Sequence, residues 1–261
     1  MRRKAIEGSC KICGKQGELT FEHVPPRAAF NGIKYAEIPP EEILKLVSDE
    51  NRMPWDINGL DMVFKQGGVG GHYLCKTCNN NFGAWYIKEY VRFAKTFHSI
   101  LTEIKTEGLQ RLTFRIHHIR PLPIFKEIIT MFCDINSNCF NDNELRNFLL
   151  TRDAKHFNKQ RYRVFAYLWR DGFPRQNSIS AMVLNSGQTL LVSEISSYPL
   201  GFVLSINHSG ACPMRTFEIT DMVDYDYYDA VDMDFDLYLN QCQTMFPLDY
   251  RTQSEILSQS M

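Results

Sequence analysis

The sequence has no apolar run long enough to cross a bilayer as a helix, which sets membrane-spanning helices aside. It has no internal repeat and no low-complexity stretch, so solenoids, fibres and long disordered linkers are set aside too. It has almost no net charge, −1 at pH 7, and therefore no overall basic signature of a polyanion binder. Residues 1–10 start with basic side chains but no apolar run follows them, which argues against a secretory signal. The expected compartment is the cytoplasm. What the chain does have is apolar content, 44% of 261 residues, enough for one large domain or two ordinary ones with a real core. It also has eight cysteines. In a reducing cytosol, paired thiols more often hold metal than form disulfides.

The charge is unevenly spread. Residues 1–120 carry 18 Lys and Arg against 13 Asp and Glu, whereas residues 121–261 carry 11 against 17. A mildly basic first half suits a polyanion partner, and the small bias gives that reading weak support.

Along the chain, Gly8, Gly14 and Gly17 mark turns around a first cysteine pair. Residues 19–24 have strand composition and end at Pro25-Pro26. Residues 27–66 read as an insertion, in which Pro39-Pro40-Glu41-Glu42 starts a short helix. Gly67-Gly68-Val69-Gly70-Gly71 is a flexible loop or a close backbone approach. Tyr73-Leu74 can form a short strand. From about Asn80 to Leu101, Phe82, Tyr86, Tyr90, Phe93 and Phe97 recur at helical spacing and build an apolar face, which reads as core. In the second half, residues 123–135 and those after 141–144 read as helices, with Asn141-Asp142-Asn143-Glu144 as an N-cap. Strands follow at residues 161–169, 178–184, 189–195 and 200–206. Residues 231–237 alternate apolar and acidic, the pattern of a half-buried strand. The expected fold class is α+β: a zinc-stapled module over 1–105, then a mixed helix and antiparallel-sheet accessory or regulatory domain over 106–261.

The strongest signal is a pair of Cys-x-x-Cys motifs, Cys10-Lys11-Ile12-Cys13 and Cys75-Lys76-Thr77-Cys78. Eight cysteines placed at random would produce only about 0.2 such pairs. Four thiolates suit one structural Zn²⁺, which takes a tetrahedral sulfur set without redox chemistry. Such a site closes the long loop between the motifs and ties metal binding to folding. Cys133, Cys139, Cys212 and Cys242 lack metal spacing and read as ordinary buried thiols.

A zinc staple alone does not make an enzyme. The residues that separate the readings are Glu22, His23 and Asn79. Closing the cysteine site brings the strand carrying Glu22-His23 beside the helix after Cys78. A carboxylate and an amide oxygen suit a hard cation such as Mg²⁺ or Mn²⁺. An imidazole suits proton abstraction near neutral pH. A helix N-terminus favours a nearby anion. Asn80 competes with Asn79 if the helix starts one residue later. Arg27, Lys76 and Lys88 are candidates for phosphate contacts. His117-His118 falls in a strand and reads as structural.

These residues resemble the HNH, or ββα-metal (His-Me finger), endonucleases, and the pattern is most similar to the zinc-stapled phage Holliday-junction-resolving members. The motifs are Cys10-Lys11-Ile12-Cys13, then Glu22-His23-Val24-Pro25-Pro26, then Cys75-Lys76-Thr77-Cys78-Asn79, and they cover roughly residues 8–95. The resemblance implies that Glu22 and Asn79 hold a catalytic divalent metal. It implies His23 as general base, its other ring nitrogen oriented by a backbone carbonyl. It implies double-stranded DNA as substrate, with 5′-phosphate and 3′-hydroxyl products. Family analogy suggests anti-phage defence or a mobile element as the setting. Two features depart from the family pattern. Glu22 is one methylene longer than the usual Asp. The middle Asn that usually precedes the second cysteine pair is missing, leaving His72 or the glycine-loop backbone to take its place.

Two alternatives stand beside this reading: a non-catalytic zinc-stapled module that binds nucleic acid or protein, and RNA in place of DNA. The acidic segment 221–236 reads as a solvated strand face, as a surface that pairs with a basic face of another subunit, or as a segment occluding the site, and a second copy or a regulatory protein is the partner expected of residues 106–261.

Overall fold

A computed structural model describes residues 5–49, 52–136, 142–183, 187–207 and 213–259. The first half contains β1 (Glu7–Ser9), β2 (Gln16–His23), β3 (Tyr35–Glu37), α1 (Pro40–Ser48), β4 (Val63–Lys65) and β5 (Gly70–Cys75). Next come α2 (Lys76–Phe82), a π turn (Gly83–Ile87) and α3 (Lys88–Glu103). The second half contains β6 (Arg111–Ile119), α4 (Pro121–Ile135), α5 (Asn143–Leu150), β7 (Tyr162–Gly172), β8 (Arg175–Val183), β9 (Thr189–Ser197) and β10 (Leu200–Ile206). It ends with β11 (Phe217–Glu218), a 3-10 turn (Thr220–Asp224), β12 (Val231–Cys242) and α6 (Gln253–Gln259). The fold is mixed α+β with one large sheet.

β1, β2 and β5 form a small antiparallel sheet, and β5 runs directly into α2. The β1–β2 turn therefore carries Cys10 and Cys13, β2 carries Glu22-His23, and the junction of β5 with α2 carries Cys75 and Cys78. The insertion between the strands holds α1, as its proline and acids predict, and the β3–β4 hairpin.

The helix after the second cysteine pair starts at Lys76, with Cys75 as its extended N-cap, and not near Asn80. The physical reason is that the Cys-x-x-Cys turn is itself the first helical turn. Nothing between Cys75 and Asn80 breaks a helix. The aromatic face is core: Phe82, Tyr86, Tyr90, Phe93 and Phe97 are all buried.

The large sheet runs β6-β12-β7-β10-β9-β8, with β11 also paired to β7. It is not wholly antiparallel, because β12 lies parallel to β7. β12 returns to β7 only after the long excursion through β8 to β11, so no hairpin constrains its direction. Strand alternation divides the core. Val164, Ala166 and Leu168 of β7 face one apolar cluster, while Phe165 and Tyr167 face a second.

α4 is the central helix. Its residues from Pro121 to Asp134 are all buried. It packs against α3, the π turn and the 3-10 turn, and reaches β5, β8 and β9. The larger cluster extends without a break from Cys10 to Leu239. The boundary expected near residue 105 falls between α3 and β6, and residues on both sides of it share this cluster. Tyr86 Oη donates to Leu149 O at 2.8 Å, and Arg146 Nε donates to Ile12 O at 2.9 Å, tying the halves further.

In the acidic segment, Asp232, Asp234 and Asp236 lie on the solvated face of β12 and Asp221 and Asp224 in the 3-10 turn, and both groups pair within the chain. Asp236, Asp234 and Asp232 meet Arg111, Arg115 and His117 of β6, while Asp221 and Asp224 meet Lys159. Cys133 and Cys242 are buried; Cys139 and Cys212 lie outside the described residues. No helix among the described residues is long and apolar enough to cross a membrane.

Candidate metal centre and adjoining cleft

The two knuckles meet. The sulfurs of Cys10, Cys13, Cys75 and Cys78 all lie within 4.8 Å of one another, and Cys13 Sγ is 3.8 Å from Cys75 Sγ. Zn–S bonds of about 2.3 Å at tetrahedral angles place sulfurs roughly 3.8 Å apart, so this set could hold a metal such as zinc. The backbone prepares the first knuckle: Gly14 N donates to Cys10 O at 2.9 Å, and Gly14 has φ +74°. The hydrogen bond between Cys78 and Cys10 holds the Cys10 thiol below the usual range and pushes the Cys78 thiol up. A cation at this point would favour the thiolate form of all four sulfurs.

Beside this staple, β2 sends alternate residues to opposite faces. Thr20 and Glu22 face α2. Thr20 Oγ1 donates to Leu74 O at 2.8 Å and accepts from Asn79 Nδ2 at 2.9 Å, with Glu22 Oε1 3.3 Å away, so the hydroxyl sits between the carboxylate and the amide. It is Asn79 that meets β2, while Asn80 is exposed. Asn79 Oδ1 takes no hydrogen bond among the described residues. Burial pushes Glu22 up to about 7, against the opposing pull of the Thr20 hydroxyl.

His23 is the last residue of β2. Its Nε2 lies 2.8 Å from the Gly67 carbonyl oxygen. Of the two candidates for orienting it, the glycine-loop backbone makes this contact. His72 instead packs edge-on against Phe21, with ring centroids 5.4 Å apart. The loop approaches closely. A Cβ on Gly70 would lie 2.0 Å from Glu22 O, and Gly67 has φ +95°, a region that favours glycine. Asn31 of the insertion pins the loop: its Oδ1 accepts from Val69 N at 2.8 Å, and its Nδ2 donates to Pro25 O at 2.6 Å and Val69 O at 2.8 Å. From the second half, Gln176 Nε2 donates to Val24 O.

Glu22, His23 and Arg27 line one cleft of about 170 Å³, together with Thr130, Glu127 and Asp134 of α4. Arg27 is exposed. Lys76 and Lys88 are also exposed but do not line the cleft. Glu127 is pushed up to about 8, by burial first and the Glu22 charge second. Asp134 is raised well above the usual carboxylate range for the same reasons, with Glu127 adding to it.

Sequence reasoning missed Thr20, Asn31, Glu127 and Asp134. The first two carry no motif. The acids had a signal, since both interrupt an otherwise apolar helical run, but it says nothing about what they face. Compared with known protein families, with curated proteins and with solved structures, the chain has no match.

Proposed function

We propose that this chain is a metal-dependent endonuclease of the HNH, or ββα-metal, kind. His23 acts as general base, and Glu22 and Asn79 hold Mg²⁺ or Mn²⁺. The observation that carries the reading is the 2.8 Å contact from His23 Nε2 to Gly67 O, made beside Glu22 and Arg27 in one cleft. With a carbonyl as partner, Nε2 carries the hydrogen and Nδ1 remains the basic nitrogen. Nδ1 is then the atom that takes a proton from water. Holding the ring in one tautomer and one orientation is what a general base near neutral pH requires.

The donor set fits a hard divalent cation. Among the described residues Glu22 has only the Thr20 hydroxyl beside it, 3.3 Å away and already donating to Leu74 O, and Asn79 Oδ1 is unengaged. A bound cation would polarise the phosphodiester and stabilise the leaving oxygen. Arg27, at the cleft, receives a phosphate oxygen, while Lys76 and Lys88 contact more distant phosphates. The substrate is duplex DNA, and the setting is defence or a mobile element; both rest on family resemblance alone. A second copy or a regulatory protein is the partner that the second half would take.

The test is nicking of supercoiled plasmid in Mg²⁺ or Mn²⁺ by wild type and His23→Ala, with zinc content and circular dichroism as controls. Loss of about 100-fold or more in rate, with both controls unchanged, is expected. Undiminished cleavage by the variant would overturn the assignment of the base. If wild type cleaves neither DNA nor RNA, the chain is better read as a zinc-stapled binding module.

A further inference from the structure

The described residues bury five acidic side chains: Glu42, Glu89, Glu127, Asp134 and Glu194. Three of them are satisfied. Glu194 accepts from Tyr167 at 2.7 Å, Tyr250 at 2.8 Å and Arg175 at 3.1 Å. Glu89 pairs with Arg92 and Arg120, and Glu42 with Lys45. Lys126, next to Glu127 and fully buried, donates to three carbonyls at 2.6, 2.7 and 3.0 Å. This fold therefore supplies partners to the buried charges it keeps for structure.

Glu127 and Asp134 are the exceptions. They are 3% and 4% exposed, yet Glu127 Oε2 and Asp134 Oδ1 have no hydrogen-bond partner among the described residues. Orphaned buried carboxylate oxygens are costly. Seven residues apart on α4, they share one helix face with Thr130, and all three line the cleft that holds Glu22 and His23. Lys11, which lies close enough to act on Asp134, donates to Asn136 O at 3.3 Å instead.

We propose that Glu127 and Asp134 join Glu22 in binding one hydrated divalent cation, so that the second half of the chain supplies ligands to the site on the first. Three carboxylates around a cleft of about 170 Å³ suit a cation that keeps several waters. Among the described residues, only the four cysteines bring three or more ligand atoms within 4.8 Å of one another. The acids are spread more widely than a dry site needs, which leaves room for bound water between ion and carboxylate. The inference rests on reading Glu22 as a cation ligand, and not on His23 being a base.

Mn²⁺ titration followed by electron paramagnetic resonance on the zinc-loaded full chain tests it, with the Mn²⁺-induced rise in melting temperature as a second readout. Wild type and His23→Ala are expected to bind one Mn²⁺ alike. Glu127→Gln and Asp134→Asn are expected to weaken binding at least about tenfold and to shrink the melting shift, while melting without Mn²⁺ stays equal or rises. Wild-type Mn²⁺ affinity in both variants, with binding lost in Glu22→Gln, would overturn the inference and leave the nuclease reading standing. Weakened binding in both variants, with no cleavage by wild type, would support the cation site and overturn the nuclease reading. A wild type that binds no Mn²⁺ overturns the inference.

Discussion

The carbonyl of Gly67 meets His23 Nε2 at 2.8 Å across 44 residues of sequence, and Asn31 holds the loop that presents it. Asn31→Ala removes one acceptor and two donors from backbone partners, of which Pro25 O is buried and the Val69 groups are half-buried. A stability loss of about 2–4 kcal/mol is expected from the unpaired groups. If His23 is the base, the nicking rate falls while affinity for DNA persists. Denaturant melts and a split of kcat from KM check the two parts.

Gly70→Ala is expected to destabilise. Its Cβ would meet Glu22 O at 2.0 Å and His23 Cα at 2.9 Å, and both are backbone atoms that cannot rotate away. About 3 kcal/mol is expected, at the upper end for forced overpacking. Gly83→Ala is the control, because nothing lies within 4 Å of its Cβ. That change is neutral or stabilising by up to about 1 kcal/mol. Equal melting of the two variants would refute the close-approach account of the glycine loop.

The four-cysteine set predicts one zinc per chain by atomic emission. Cys78→Ser, which removes a buried sulfur of the set, loses that zinc and lowers the melting temperature. A strong chelator does the same to wild type. Unchanged melting after zinc removal would mean that the core shared with the second half, not the metal, holds the knuckles together.

The carboxylates predict a pH dependence. Burial raises Glu22 from 4.5 to about 7 and Glu127 from 4.5 to about 8. The native state therefore holds more protons than the unfolded chain between those values, and stability falls as pH rises through the window. In divalent-free, zinc-loaded protein, the melting temperature is expected to fall from about pH 5 to about pH 7, below the range in which buried Lys126, lowered to about 7, acts in the opposite sense, and Glu127→Gln flattens the curve. Melting curves that rise with pH over this range would contradict the account.

How much of this was legible depended on distance along the chain. Cys-x-x-Cys is a four-residue turn, so spacing alone announces two sulfurs aimed at one point. The alternation of Asp232, Asp234 and Asp236 with Met233 and Phe235 likewise announces a half-buried strand. The start of α2 at Lys76 was not legible, because Asn is a strong N-cap type and drew the expected start toward residue 80. The direction of β12 beside β7 was not legible either, since local pattern says nothing about parallel or antiparallel pairing.

By itself, then, the sequence determined the cysteine set, the strand bearing Glu22-His23, the aromatic face of α3 and the strand-rich second half. Each follows from side-chain periodicity or ligand spacing within a few residues. Only the tertiary structure decided that Gly67 meets His23, that Asn79 meets Thr20, and that Glu127 and Asp134 of a buried helix face Glu22. Those contacts join segments 44, 59, 105 and 112 residues apart; the first two exist because β2 pairs with β5 and β5 runs into α2, the last two because α4 packs against β5.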